Sequence, residues 1–78
     1  MMTSEQVRAA RMLLRWEQKD LAEKSGVSLP TVKRLETAPG ELNAYASTLE
    51  KLRAAVEAAG VVFVDPNGDG PGVRLKGK

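Results

Sequence analysis

Thr31, Lys33 and Arg34 follow Ser28 closely, in a stretch that reads Ser28-Leu29-Pro30-Thr31-Val32-Lys33-Arg34. An arginine presents a planar fork that matches the O6 and N7 acceptors of guanine, and it serves equally as a phosphate contact. A threonine offers a hydroxyl or a methyl to a base edge, whereas a lysine is better suited to phosphate than to reading. Leu29 and Pro30 bring only apolar contact, with a thymine methyl or with the start of their own helix. The chemistry on offer here is recognition of a polyanion.

Bond-making chemistry finds no such support. The chain has 78 residues with neither histidine nor cysteine. It therefore lacks the commonest general base, the commonest metal ligand, any disulfide and any thiolate zinc site. Its carboxylates are scattered over helix surfaces, and no acid–base pair or nucleophile constellation is visible. The reading is of a non-enzyme without metal or cofactor. Twelve basic residues against ten acidic ones leave a net charge of +2, which permits nucleic-acid binding without arguing for it. The longest apolar run, Ala58 to Val64, is far too short to span a bilayer, and no basic segment precedes an apolar signal core. A cytoplasmic protein without membrane association is the expectation. At this length one domain is expected, with a thin stability margin.

The elements that must position these side chains are legible. Thr3 or Ser4 caps a first helix, with Gln6 placed for a capping box; Val7, Ala10 and Leu14 recur at helical spacing up to Trp16. A second helix is expected from Gln18 to Ser25, with Leu21 and Ala22 facing inward and Gly26 ending it. Ser28 caps a third helix with Pro30 in its first turn, and Val32 and Leu35 share one face. Ala38-Pro39-Gly40 breaks that helix, and the loop that follows includes at most a short turn of helix from Leu42 to Tyr45. Ser47-Thr48-Leu49-Glu50 reads as the capping box of a fourth helix that carries Leu49, Leu52, Val56 and Ala59 and stops at Gly60. Beyond Gly60 the period changes to that of strands, Val61–Val64 and Gly72–Lys76, around a loop of turn formers.

The strongest pattern lies in residues 18–37. Two helices that cross steeply through a tight turn need a small residue beneath the crossing, which Ala22 supplies. They need positive φ four residues later, which Gly26 supplies, and apolar residues turned back onto the first helix, namely Val27, Val32 and Leu35. An ordinary antiparallel helical pair is the plain alternative.

This run, Gln-Lys-Asp-Leu-Ala-Glu-Lys-Ser-Gly-Val-Ser-Leu-Pro-Thr-Val-Lys-Arg-Leu-Glu, resembles the lambda-repressor/Cro-like (XRE-like) helix-turn-helix family of transcriptional regulators. The resemblance covers residues 4–59. It implies a mainly α domain of four to five helices over residues 1–60, with a C-terminal β-hairpin or strand pair over 61–78. It further implies a bacterial, nucleoid-associated repressor or other regulator that binds double-stranded DNA. By that likeness Leu29, Pro30, Thr31, Lys33 and Arg34 read bases, while Gln18 and Ser28 meet phosphates. Arg11 and Glu36 resemble the family's ion pair between the first helix and the end of the third, against the plain reading of two unrelated surface charges. The chain departs from the family twice. Leu29 and Pro30 stand where polar readers are common, and the loop from Ala38 to Ala46 holds no Lys or Arg.

Two uses of the tail compete. Pairing the tails of two copies buries Val62, Phe63, Val64, Val73 and Leu75 and creates a homodimer suited to palindromic DNA. Folding back onto the chain's own helices is the alternative. A different function class, an antitoxin or adaptor, uses the same apolar strands to hold a protein partner. Asp65 to Gly70 opens like a calcium loop, but the twelfth position, where a glutamate must close the site, is Lys76, so no calcium is expected.

Overall fold

The computed structural model describes residues 2–64 and 70–77. Four helices, α1 (Ser4–Leu13), α2 (Gln18–Ser25), α3 (Leu29–Thr37) and α4 (Ala46–Ala58), precede two strands, β1 (Val61–Val64) and β2 (Gly72–Leu75). The loop with the calcium-like opening lies outside the described residues.

Thr3 caps α1 as its sequence predicts. The Gln6 N–H donates to the Thr3 hydroxyl at 3.1 Å, and the Gln6 carboxamide accepts from the Thr3 N–H at 3.0 Å. Gln6 does more than cap, because its amide also donates to the carbonyls of Val64 and Gly72, tying α1 to the mouth of the hairpin. The loop after α3 is drawn back onto the start of α1. Ser4 N–H donates to Gly40 C=O, Leu42 N–H donates to Met2 C=O, and Thr3 bridges Glu41 as an isolated strand pair. The short helical turn allowed for at Leu42 to Tyr45 is not formed; Leu42 at its start is instead bonded to Met2. The Glu5 carboxylate accepts from the Gly40 N–H at 3.1 Å. Its own backbone N–H, and then that of Gly40, hold its pKa below the ordinary 4.5. A depressed carboxylate pKa adds stability above the unfolded value that is lost as pH falls through the folded one. Thermal melts from pH 6 down to pH 3 should thus lose less stability for Glu5→Gln than for the wild type.

Gly26 ends α2 at φ +77°, and a Cβ placed there would meet nothing within 4 Å. The requirement is one of backbone conformation rather than of space. Gly26→Ala should therefore cost about 1–2 kcal/mol in chemical denaturation, the penalty of a left-handed residue with a Cβ.

One start signal is misplaced in the sequence reading. α4 begins at Ala46, with Tyr45 as an N-cap that makes no side-chain capping bond, so the expected box from Ser47 to Glu50 is absent. Leu49, Leu52 and Val56 keep the inward stripe that their spacing implies, with Leu52 and Val56 buried.

Leu21, Val32, Leu35, Leu52 and Val56 meet Val7 and Ala10 in one core. The hairpin belongs to that core. β1 and β2 pair antiparallel with Val61 opposite Leu75 and Phe63 opposite Val73, so these four share one face. Val61 is fully enclosed and Phe63 is only 7 % exposed, with the Arg53 guanidinium 5.3 Å above its ring. The tail thus folds back on its own helices, and Phe63, expected in a dimer seam, packs instead within its own chain. Burying an aromatic ring and a valine in the same chain needs no second molecule, which is why the intramolecular arrangement prevails.

Candidate nucleic-acid interface

α3 buries Val32, Leu35 and Glu36 and turns the rest of its surface outward. At 100° per residue these three span one side of the helix, so Pro30 and Thr37 form the opposite crest, with Lys33 and Arg34 on its two flanks. Pro30, Lys33 and Arg34 are exposed, and Leu29 and Thr31 are half-buried at the foot of the ridge. Neither Lys33 nor Arg34 pairs with a carboxylate among the described residues. Both cations are free to meet an anion.

An open trough runs along each side of this ridge. One, of about 530 Å³, is lined by Arg11, Glu17, Gln18, Lys19, Leu29 and Lys33. The other, of about 390 Å³, is lined by Thr31, Arg34, Asn43, Ala44, Tyr45 and Thr48. Leu29 and Lys33 are one turn apart on one flank, and Thr31 and Arg34 share the other, as their spacing of four and three requires.

Asn43, Tyr45, Thr48 and Lys19 are absent from the set that sequence reasoning selects. The loop after α3 looks unsuited to an anion because it has no cation. Its Asn amide and its Tyr and Thr hydroxyls are nonetheless ordinary phosphate donors. Tyr45 is 85 % exposed at the start of α4, a large aromatic residue left in water beside Arg34's trough. The sequence shows only polar donors in a loop that follows a basic helix; their place beside Arg34 comes from the fold.

Two selected residues are partly committed within the chain. Ser28 accepts from the Thr31 N–H at 3.3 Å and donates its hydroxyl to the Thr31 oxygen at 2.9 Å, which fixes the first turn of α3. Gln18 donates to Glu36 Oε1 at 3.1 Å, leaving its second N–H and its carbonyl for an outside partner.

Glu36 is the hub of the arrangement. Its carboxylate accepts from Arg11 Nη2 at 2.9 Å and Arg11 Nε at 3.0 Å, a two-pronged ion pair, and the Glu36 side chain is only 4 % exposed. Arg11 also donates to the Trp16 carbonyl, and Arg8 donates to the Glu36 carbonyl at 2.7 Å. α1, the entrance to α2 and the end of α3 are thus locked at one point. Every buried side-chain polar atom among the described residues is partnered.

A helix-turn-helix family model matches residues 7–61, most of the chain, from within the first turn of α1 to the end of α4. No curated protein matches the chain closely enough to count as a relative. With the αL elbow at Gly26, the exposed ridge of α3 and this match, the chain belongs to the lambda-repressor/XRE-like helix-turn-helix family of DNA-binding regulators.

Proposed function

We propose that the protein is a sequence-specific transcriptional regulator that binds palindromic DNA as a homodimer, with α3 in the major groove. The observation that carries the reading is the bare α3 ridge, with two unpaired cations on it and a donor-lined trough on either side. A helix seated in the major groove meets one backbone on each flank, so two troughs answer two strands.

In this reading Arg34 is the principal base reader, with its fork on guanine O6 and N7. Thr31 hydrogen-bonds or touches a methyl. Leu29 and Pro30 contact thymine methyls, which leaves little hydrogen-bonded discrimination at those base pairs. Lys33, Gln18 and Lys19 serve one backbone, and Asn43, Tyr45 and Thr48 the other. Ser28 contributes by holding the first turn of α3, and the Arg11–Glu36 pair sets the angle at which the ridge leaves the body. Three neutral donors on one flank give a modest electrostatic share of affinity, so two half-sites are needed for tight binding. The homodimer meets across the outer face of the hairpin, where Val62 and Val64 are half-buried on the side away from Phe63. Occlusion of a promoter by such a dimer makes repression the expected outcome, in the bacterial cytoplasm where the nucleoid lies.

Selection of bound sequences from a random duplex pool at physiological salt tests this. An enriched inverted repeat, with half-sites centred about one helical turn apart, is expected. Recovery of an unenriched pool would refute sequence-specific binding, and an enriched single half-site would refute the dimer.

A further inference from the structure

Lys76 N–H donates to Gly60 C=O at 2.6 Å, in line with the register that pairs Val61 with Leu75. Backbone groups alternate sides along a strand, so this bond sets the phase of the whole ladder. Arg74 and Gly72 face β1, whereas the N–H and C=O groups of Val73 and Leu75 point to the open edge of β2. Among the described residues no other element takes up those four groups.

Side chains at this edge are sorted by face. Val73 and Leu75 lie on the inner face with Val61 and Phe63, yet Leu75 is 52 % exposed. Val73 is packed against the core, so the inner face is left uncovered at Leu75, at the end of β2. Arg74 lies on the outer face, followed at the same parity by Lys76, and both are exposed without an ion pair among the described residues.

We infer that the β2 edge is an acceptor for an extended segment of another protein that alternates apolar and acidic residues. Such a strand would take the free backbone groups of Val73 and Leu75. Its apolar side chains would cover Leu75 on the inner face, and its carboxylates would lie beside Arg74 and Lys76 on the outer one.

A second copy fits this edge poorly. An antiparallel two-fold pairing that sets Val73 opposite Leu75 brings Arg74 against Arg74. Setting Leu75 opposite Leu75 brings Arg74 against Lys76. Setting Val73 opposite Val73 places Pro71, which has no N–H, where Leu75 needs a donor. Basic residues on an edge strand are a known guard against self-pairing. The edge therefore prefers an acidic strand over its own kind, and at Arg74, opposite Val62, it borders the outer face proposed for the homodimer.

Nuclear magnetic resonance titration of the full-length protein with soluble alternating Val–Glu and Val–Lys peptides, up to millimolar concentration, tests the inference. The expected result is slowed exchange of the Val73 and Leu75 amides with the Val–Glu peptide, and at least about tenfold weaker binding of Val–Lys. The double variant Arg74→Glu, Lys76→Glu should reverse that preference while its amide spectrum outside the hairpin stays unchanged, which also shows that it folds. Failure of both peptides to bind, or equal binding of the two, overturns the inference. So does an unchanged preference for Val–Glu in the double variant, which would show that Arg74 and Lys76 do not read the charge of the added strand. Because α3 is untouched throughout, failure here leaves the DNA-binding proposal standing.

Discussion

Glu36→Ala is expected to unfold much of the population at 37 °C. The substitution leaves Arg11, whose side chain is 17 % exposed, facing an empty site, and it removes the acceptor of Gln18 as well. Breaking a buried ion pair from one side costs about 3–5 kcal/mol, because the remaining charge is neither solvated nor paired. Domains of this size hold about 4–12 kcal/mol in total at 0.05–0.15 kcal/mol per residue. Chemical denaturation should register the loss. A change below about 1 kcal/mol would show that the pair behaves like an exposed one. Replacing both partners, Arg11→Met with Glu36→Leu, should recover much of the stability, since no charge is then stranded. DNA affinity should recover less, because Gln18 still lacks its anchor.

The largest effect on binding is expected from Arg34→Ala. Loss of a bidentate contact with a base costs about 1–3 kcal/mol, roughly a 5- to 150-fold weaker Kd, and it should relax preference at a single base pair. Lys33→Ala should act differently, weakening all sequences alike and reducing the salt slope by about 1. Arg34 and Lys33 are both exposed and unpaired with any carboxylate among the described residues, so neither substitution should move the melting temperature by more than about a degree or two. Competition titrations against single-base operator variants separate the two. If Arg34→Ala lowers affinity uniformly, Arg34 is a phosphate contact and the base reading must come from Thr31 and its apolar neighbours.

What was legible in the sequence follows from how local each signal is. Thr3 with Gln6, the glycine after Ser25, and Ser28 before a proline act within one turn of chain, and each forms the cap or elbow its residues imply. The start of α4 is not of this kind. Ser47 and Glu50 satisfy a local rule, yet the helix starts two residues earlier, at Ala46 behind Tyr45, so a matching local pattern does not by itself fix the boundary. The tail shows the same limit. Its alternation reveals two strands, but periodicity cannot say which surface they cover, and only the arrangement of α1 and α4 decides that Phe63 lies inside. At the candidate interface, residues with charge were found from sequence, whereas Asn43, Tyr45 and Thr48 were not. Their part depends on the loop being pulled back by Met2, Ser4 and Glu5 so that α4 starts beside Arg34. The sequence points Gln18 outward, and its inward bond to Glu36 depends on a meeting of three helices that no short window contains.

The central claim is that α3 and its two flanking troughs are the face that meets a duplex. Mapping backbone amide shifts of the full-length protein on addition of a random-sequence duplex at low salt tests it most directly. Shifts are expected to gather at Gln18 and Lys19, at Ser28 to Arg34, and at Asn43 to Thr48, and to fade as salt is raised. Shifts gathered instead on the hairpin around Arg74, with those three segments unmoved, would contradict it.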